Sequence, residues 1–213
     1  MFTGIVQGLC EVTSVGDEAG LRRLGVDLGA LACGLDLGAS VAINGVCLTA
    51  ARCRGNEVGF DVIGESLAHS NLRELEKGHR VNVERSLRLG DEIGGHRLSG
   101  HVCDTVRVLR IERGPNERVI RLAVADQWLP YLSYKGFVAV DGASLTISAV
   151  DRAEGSFSVS LIPETLSRTT LGSVQEGALL NLEIDPETQS IVDTVERLLT
   201  SPEWRARLRE LLA

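Results

Sequence analysis

The chain contains the same sequence pattern twice, and this internal repeat restricts the possible fold more than any other feature. Residues 44–49 (NGVCLT) return 97 positions later as residues 141–146 (DGASLT). The match extends in both directions: residues 65–67 (ESL) correspond to 164–166 (ETL), 82–84 (NVE) to 181–183 (NLE), and 2–6 to 98–102. A period of this length is too long for a solenoid and predicts two copies of one small domain. The positions at which the copies differ are therefore the most informative about function.

The composition indicates a soluble, cytoplasmic protein. The chain of 213 residues is 44% hydrophobic, which is enough for two separate cores. A formal net charge of −7 argues against binding to nucleic acid. The five cysteines include no CxxC pair, which favours reduced thiols over a disulfide framework. The chain start has no basic leader and no stretch reaches the ~18 apolar residues of a membrane span, so we expect neither a signal peptide nor a membrane partner.

Short alternating segments dominate each half and predict β-strands. In the first half they cover residues 5–12, 40–43, 47–51, 58–62 and 80–83. Their spacing is typical of small antiparallel barrels or sandwiches. Gly45 and Gly142 each follow Asn or Asp and predict hairpin turns with a positive φ at the glycine. Each half also has room for one short helix, near residues 66–74 and 165–170, and the Gly-rich residues 86–97 form the predicted joint.

The pattern becomes helical after Pro186. Apolar residues recur at three- to four-residue spacing: Ile191, Val192, Val195, Leu198, Leu199, Leu208, Leu211 and Leu212. Ser201 precedes Pro202 and predicts the N-cap of a second helix. These apolar stripes need to be buried, either on the chain's own barrel or against another copy of the chain.

Aligning the two halves isolates a few unequal positions. Cys47 in the first copy corresponds to Ser144 in the second, and Ile5 corresponds to His101. A duplicated fold predicts binding of two related ligands, and unequal side chains predict different tasks for them. A thiol and an imidazole that cooperate would bring the first half against the second. Such a site can form within one chain or between two chains, and the sequence does not choose.

Structural interpretations of the same residues remain open. A cysteine in an apolar strand is more often inert core filling, and a histidine beside a glycine is more often structural. His96, His101 and Cys103 lack a fourth ligand and match no common zinc pattern, so we expect no metal. Neither GxGxxG nor GxxxxGK[ST] occurs, and therefore neither a Rossmann dinucleotide site nor a P-loop is predicted.

Six long motifs follow one another along almost the whole chain. They are MFTGIVQG at 1–8, NGVCLT at 44–49, DEIGGHRLSGH at 91–101, YKGFVAVDGASLT at 134–146, LIPETLSRTTLG at 161–172 and EIDPETQSIVDTVERLL at 183–199. Together they resemble the alpha-chain type of the riboflavin synthase family. Because several motifs are eight or more residues long, this resemblance is far more specific than one short motif.

The resemblance implies a mainly β fold of two tandem, similar, six-stranded antiparallel β-barrels followed by a C-terminal α-helix. Residues 1–86 would form the N-terminal lumazine-binding barrel, 87–97 a linker, 98–186 the C-terminal lumazine-binding barrel, and 187–213 a helical oligomerisation segment. It also implies a homotrimer in which the active site lies between the N-barrel of one chain and the C-barrel of its neighbour.

The implied reaction is a dismutation of two molecules of 6,7-dimethyl-8-ribityllumazine. One molecule donates a four-carbon unit to the other, giving riboflavin and 5-amino-6-ribitylamino-2,4-pyrimidinedione. No cofactor and no metal are implied, because the lumazine ring is itself an electron sink. This agrees with the repeat, since two similar barrels would bind two copies of one substrate and hold them in position to react.

The resemblance also implies roles at matching positions. Cys47 would be a nucleophile or polariser at the ring, His101 a proton carrier, Ser144 the hydroxyl counterpart of Cys47, and Phe2 a residue that packs on the ring or orders the chain start. Besides Cys47, the N-barrel pocket would be lined by Gly4, Ile5, Val6, Leu48, Thr49, Asp61, Val62, Ile63, Gly64, Glu65 and Ser66. Besides His101 and Ser144, the C-barrel pocket would be lined by Gly100, Val102, Lys135, Leu145, Thr146, Leu161, Ile162, Pro163, Glu164 and Thr165.

A non-catalytic lumazine- or flavin-binding protein on the same double barrel, with an optical or carrier role, is the alternative. It predicts loss of the reactive positions, especially in the second half. Cys47, His101, Ser144 and Thr146 are all present. The sequence therefore favours the enzyme.

Overall fold

The computed structural model describes residues 1–115 and 117–212, apart from the side chains of residues 208, 209, 211 and 212. The apolar stripe predicted at Leu208, Leu211 and Leu212 lies outside these described side chains. Within the described residues, twelve strands form two closed barrels. No helix in this part of the chain combines the length and apolar character that a membrane crossing requires.

The two barrels have the same strand order and are antiparallel throughout, as predicted. The first contains β1 (Gly8–Glu18), β2 (Leu21–Asp27), β3 (Ser40–Ile43), β4 (Val46–Arg54), β5 (Glu57–Ile63) and β6 (Arg80–Arg85), closed in the order β1-β2-β5-β4-β3-β6. The second contains β7 (Asp104–Arg113), β8 (Arg118–Ala123), β9 (Phe137–Val140), β10 (Ala143–Asp151), β11 (Ser156–Leu161) and β12 (Leu179–Ile184), closed in the order β10-β11-β8-β7-β12-β9.

Alternation of apolar and polar residues explains why these strands close around separate cores. In β5, Val58, Phe60 and Val62 are buried while the residues between them are more exposed. Register shifts in β4, between Ala50 and Arg52, and in β10, between Ile147 and Ala149, lie at equivalent positions of the repeat. Such bulges bend a strand and increase its twist, which assists closure of a small barrel.

The helical segments follow the repeat as well. In the first barrel, β5 is followed by the short helix α1 (Gly64–Ala68) and then by a 3₁₀ turn at Asn71–Glu74. In the second barrel, β11 is followed by α2 (Pro163–Arg168) and then by a 3₁₀ turn at Thr170–Gly172. The single short helix predicted in each half is thus divided in two, because Ser70 and Thr169 adopt extended backbone between the pieces.

The C-terminal segment forms two helices, α3 (Pro186–Thr200) and α4 (Pro202–Leu212). The Ser201 hydroxyl accepts a hydrogen bond from the Trp204 N–H at 3.4 Å, which confirms the predicted start of the second helix. Ile191, Val195 and Leu199 share one face of α3 and are exposed. This chain's own barrels therefore leave that apolar face uncovered.

The barrels are joined by an exchange of short segments. Phe2 and Leu98 form a two-residue antiparallel bridge, with N–H to carbonyl distances of 2.9 and 3.0 Å. Beyond this bridge each segment continues onto the opposite barrel. Val6 packs in the core of the second barrel, and Val102 packs on the core of the first.

A buried network of amide side chains completes the contact between the barrels. Asn82 Nδ2 donates to the Asp141 carbonyl at 2.8 Å, and Asn181 Nδ2 donates to the Asn44 carbonyl at 2.8 Å. Asn71 Nδ2 donates to Asp141 Oδ1 at 2.9 Å. Each hairpin turn, at Asn44-Gly45 and Asp141-Gly142, thus receives a hydrogen bond from the opposite barrel. Gly45 and Gly142 have positive φ, as predicted, and Asn44 and Asp141 before them also have positive φ.

Asp141 introduces a carboxyl group where the first copy has the neutral Asn44. Burial raises the pKa of Asp141 to about 7, from an ordinary value of 3.8. Between these values the folded protein binds more protons than the unfolded chain does. The free energy of unfolding therefore decreases as the pH rises from about 4 to about 7.

Asp141→Asn is expected to fold and to remove this pH dependence. The amide retains the Oδ1 acceptor used by Asn71 and by the Asn181 N–H, but it has no charge to bury. Between about pH 5 and about pH 8, the wild-type free energy of unfolding should fall by about 1–3 kcal/mol relative to the variant. Urea unfolding at a series of pH values, followed by tryptophan fluorescence, measures the difference.

Asp36→Asn is the matched control, since Asp36 is an exposed carboxylate of the first barrel. Its stability should follow the wild-type pH curve. If the free energy of unfolding changed with pH in the same way for the wild type and for Asp141→Asn, the raised pKa of Asp141 would be contradicted.

Candidate active site

Each barrel has a small pocket where it meets the other barrel. The N-barrel pocket, a cavity of about 160 Å³, is lined by Val46, Cys47, Glu65, Ser66, His69, Gly100, His101 and Val102. The C-barrel pocket, a cavity of about 140 Å³, is lined by Gly4, Ile5, Val6, Ala143, Ser144, Glu164, Thr165, Arg168 and Thr169. The two linings correspond to each other through the repeat, so the pockets are equivalent in position and unequal in chemistry.

Two segments, residues 4–6 at the chain start and residues 100–102 after the linker, line the opposite pockets from those that the sequence predicted. Residues 4–6 were predicted to line the N-barrel pocket with Cys47, and residues 100–102 the C-barrel pocket with Ser144. This grouping is wrong. The Ser144 N–H donates to the Gly4 carbonyl at 2.8 Å, and the Cys47 N–H donates to the Gly100 carbonyl at 2.9 Å. Each pocket is therefore completed by a segment that crosses from the other half of the chain.

Glycine is required at both crossing points. Gly4 and Gly100 have φ values of +74° and +81°, which side chains rarely adopt. A Cβ atom would lie 2.5 Å from Ser144 Cβ at position 4, and 2.5 Å from Cys47 Cβ at position 100. The close approach brings each crossing segment directly against the side chain that differs between the copies.

The last strand of each barrel carries a buried glutamate, and this glutamate binds the backbone of the segment that crosses to the other barrel. Glu84 accepts hydrogen bonds from the Thr3 N–H at 2.6 Å and from the Gly4 N–H at 3.0 Å. Glu183 accepts equivalent bonds from the Ser99 N–H at 2.8 Å and the Gly100 N–H at 3.1 Å. Burial raises the pKa of Glu84, although the bonds from Thr3 and Gly4 stabilise its charged form. These carboxylates orient the backbone that forms the pocket walls.

The N-barrel pocket brings together the thiol and the imidazole that the sequence identified. Cys47 is half-buried and His101 is exposed, and both line the same cavity within one chain. Glu65 and Ser66 of α1 lie on the same wall, as does His69, which the sequence analysis missed. The pocket can therefore offer a nucleophile and groups that accept or release protons to a bound molecule.

The C-barrel pocket offers a hydroxyl where the first copy has a thiol. Ser144 lies beside α2, in which Arg168 forms an ion pair with Glu164. Arg168 occupies the position equivalent to His69 in the repeat, and the sequence analysis missed both residues. The alignment of Glu65 with Glu164 already contained this unequal pair, so extending the comparison by four residues would have identified it.

His96 contacts Ser144 of the C-barrel pocket without lining that pocket itself, and the sequence assigned it no role. Its Nδ1 lies 2.6 Å from Ser144 Oγ, and its ring stacks on Phe137 with centroids 5.0 Å apart. Burial lowers the pKa of His96. His96 lies within the motif at residues 91–101, but its contact with Ser144 was not predicted, because the linker and Ser144 meet only in the folded chain.

Phe2, predicted as a catalytic-site residue, lies between the barrels with 1% exposure. It packs against Ala42, Leu98 and Ala139, and Cys47 packs on the same cluster. The Phe2 side chain is therefore absent from both pocket linings. It fixes the chain start from which Gly4 extends, which is the second of the two roles expected for it.

The remaining predicted residues fall into two groups that lie outside the linings of the two pockets. Buried in the barrel cores are Leu48, Val62, Leu145 and Leu161. Exposed on the surface are Thr49, Asp61, Ile63, Gly64, Lys135, Thr146, Ile162 and Pro163. The alternation of side chains along a strand explains the first group, because neighbours of a pocket residue point into the core.

A wider depression of about 620 Å³ lies on the outer face of the second barrel. Its charged groups are already paired, since Arg121 contacts Asp151 and Arg152 donates to the Leu129 and Leu132 carbonyls. It has no cysteine or histidine in its lining. The two pockets at the junction are the better candidates for chemistry.

Comparisons with known proteins agree with the geometry. The riboflavin synthase of Escherichia coli (strain K12) is 48% identical over 205 residues, which cover 95% of each chain. The riboflavin synthase of Chlamydia pneumoniae is 45% identical over 202 residues, which cover 94% of this chain and 98% of that one. A crystal structure of LumP complexed with riboflavin has a TM-score of 0.79 and 25% identity, and covers 86% of this chain and 99% of LumP. A second, complexed with 6,7-dimethyl-8-(1'-D-ribityl) lumazine, has a TM-score of 0.78 and 22% identity over the same shares.

Two matching barrels, each with a pocket closed by a segment from the other, define a tandem-barrel protein that binds small molecules. The family model for the lumazine binding domain matches residues 3–86 and 99–185, one copy per barrel. With the relatives above, this places the chain in the riboflavin synthase family, as a transferase-type enzyme of riboflavin biosynthesis.

Gly100→Ala is expected to damage the N-barrel pocket although residue 100 belongs to the second half of the sequence. The added Cβ enters the space of Cys47 and strains the backbone, so ligand affinity there should fall at least about tenfold. Protection of the Cys47 thiol from alkylation by bound riboflavin, followed by peptide mass spectrometry, measures this. Gly4→Ala should leave that protection intact and weaken the C-barrel pocket instead.

Gly20→Ala is the matched control. Gly20 also has a positive φ, +77°, but a Cβ there meets nothing within 4 Å. The affinity of the N-barrel pocket for riboflavin in Gly20→Ala should remain close to that of the wild type. If Gly4→Ala rather than Gly100→Ala removed the protection of Cys47, the exchange of segments would be refuted.

Proposed function

We propose that this chain catalyses the dismutation of two 6,7-dimethyl-8-ribityllumazine molecules. One molecule is bound in a pocket of the N-barrel type and the other in a pocket of the C-barrel type. A four-carbon unit passes from one to the other, giving riboflavin and 5-amino-6-ribitylamino-2,4-pyrimidinedione. The observation that carries this proposal is the pair of pockets that match in position through the repeat and differ in side chains.

The reaction needs no added redox partner, since the atoms of two lumazines equal those of the two products. The 7-methyl protons of lumazine are acidic because the resulting carbanion is delocalised into the ring. In this proposal Cys47 adds to or polarises one ring and His101 carries a proton, both in the N-barrel pocket. Ser144 contacts the ring in the C-barrel pocket. Holding both rings at near-attack distance supplies much of the rate.

The other predicted binding residues remain part of the proposal where they line a pocket. Glu65 and Ser66 would contact the ligand in the N-barrel pocket, and Glu164 and Thr165 would do so in the C-barrel pocket. These residues lie on α1 and α2, whose exposed positions suit contacts with a ribityl chain. The residues in the barrel cores would act through their backbone alone.

We further propose that the active protein is a homotrimer in the cytoplasm. Ile191, Val195 and Leu199 present an exposed apolar stripe on α3, and another copy of α3 would cover it. Each active site would form where the N-barrel of one chain faces the C-barrel of its neighbour. The five cysteines are all free thiols in the described residues, and a reducing compartment maintains that state.

The activity is tested by following lumazine absorbance and riboflavin fluorescence with the purified, untagged protein. We expect one riboflavin per two lumazines consumed, without added cofactor and in the presence of a chelator. Retention of a coloured ligand with no riboflavin formed would instead indicate the optical or carrier protein. Absence of both binding and turnover would overturn the proposal.

The arrangement between chains is tested by mixing two inactive variants. Ser66→Trp fills the N-barrel pocket and Thr165→Trp fills the C-barrel pocket, at equivalent positions of the repeat. Each variant alone should lose nearly all turnover. In mixed trimers an intact N-barrel pocket can face an intact C-barrel pocket, so equal mixing should restore about a quarter of wild-type activity.

A site completed within one chain predicts no recovery on mixing, because every chain would carry one blocked pocket. Sedimentation of each variant and of the mixture controls for a change of assembly. Mixed trimers are prepared by unfolding and refolding the two variants together, and the control is each variant unfolded and refolded alone.

A further inference from the structure

His96 is held rigidly against Ser144 in the C-barrel pocket. Its Nδ1 is 2.6 Å from Ser144 Oγ, its backbone N–H donates to the Thr3 carbonyl at 3.1 Å, and its ring stacks on Phe137. The side chain is only 6% exposed, while Ser144 is half-buried and lines the pocket. Ser144 lines the cavity, and the buried imidazole of His96 contacts Ser144 without lining the cavity itself.

The imidazole is neutral near neutral pH. Burial lowers the pKa of His96, and the opposing effect of the Asp185 carboxylate is smaller. A neutral imidazole carries one N–H, so one ring nitrogen donates and the other accepts. Which nitrogen has the hydrogen determines what Ser144 can offer to a ligand.

The surroundings of Nε2 favour the hydrogen on Nδ1. Nε2 is buried and has no partner among the described protein groups. A buried N–H without an acceptor is rarer in proteins than a buried acceptor without a donor. With the hydrogen on Nδ1, His96 donates to Ser144 Oγ. The serine hydrogen is then free to point into the pocket, because Ser144 Oγ already accepts the bond from His96.

We propose that His96 is a positioning residue that makes the Ser144 hydroxyl a hydrogen-bond donor to an acceptor atom of the lumazine ring. This inference rests on the proposed function and refines it for the C-barrel pocket. The ring acceptors are its carbonyl oxygens and imine nitrogens. A hydrogen bond to one of them withdraws electron density from the ring and stabilises negative charge that develops on it.

The two pockets then differ in a defined way. The N-barrel pocket has a thiol, a weaker donor than a hydroxyl, and its histidines His69 and His101 are both exposed. The C-barrel pocket has a fixed hydroxyl donor supported by a buried histidine. The ring in the C-barrel pocket is therefore the one polarised by hydrogen bonding.

A double-mutant cycle tests this role. Ser144→Ala and His96→Leu should each lower kcat about tenfold, which is the effect of one lost hydrogen bond. If His96 acts through Ser144, the double variant should be no slower than Ser144→Ala alone. Multiplication of the two effects in the double variant would overturn the inference.

His96→Asn distinguishes positioning from structural support. Its side-chain amide nitrogen can occupy the place of Nδ1 and donate to Ser144, so it should recover most of the activity lost in His96→Leu. The absorbance band of bound lumazine should shift in His96→Leu and return in His96→Asn. His79→Leu, at an exposed histidine outside both pockets, is the control and should match wild type in turnover.

¹⁵N NMR of the labelled protein reads the tautomer directly. A proton on Nδ1 of His96, with Nε2 unprotonated, is expected, and the opposite tautomer would overturn the inference. Wild-type turnover separates the two proposals. An inactive wild type would refute the dismutase, while the NMR result and the spectrum of bound lumazine would still decide the role of His96.

Discussion

The exchange of backbone segments between the barrels is the interaction on which the rest of the structure depends. The Gly4 carbonyl accepts from Ser144, and the Gly100 carbonyl accepts from Cys47. A closed barrel has no free edge that could pair with a strand of the other barrel, so the backbone contacts between the barrels are limited to short segments such as these. Because each pocket wall comes from the opposite half of the chain, neither pocket would be complete in an isolated barrel.

Buried polar side chains secure this junction together with the apolar cluster around Phe2. Asn82 and Asn181 reach across it to carbonyls of the opposite hairpin turns, and both are almost fully buried. Buried amides are stable only when their hydrogen bonds are satisfied, so the network accepts one relative orientation of the barrels. Asp141 breaks the symmetry of the network with a carboxyl group whose pKa burial raises to about 7. The junction is therefore specific, at a cost in stability that grows as the pH rises from about 4 to about 7.

Duplication and divergence together explain the chemistry. Two equivalent pockets suit two copies of one substrate, while the pairs Cys47/Ser144 and His69/Arg168 give each copy a different environment. His96 adds a further difference, since it supports Ser144 from outside the repeated pattern. A reaction between two identical molecules needs such a difference, because one molecule must lose the atoms that the other gains.

The sequence by itself determined the local features. Asn44-Gly45 and Asp141-Gly142 dictate their hairpin turns through local backbone preference, alternation dictates the strands, and Cys47 and His101 were identified as partners from the repeat. The tertiary structure alone decided which half of the chain completes which pocket. Residues 2–6 and 98–102 have similar patterns and fit either barrel locally, so only the long-range bonds to Ser144 and Cys47 distinguish them. The contact of His96 with Ser144 was hidden for the same reason, since it joins residues far apart in the sequence and has no periodic signal.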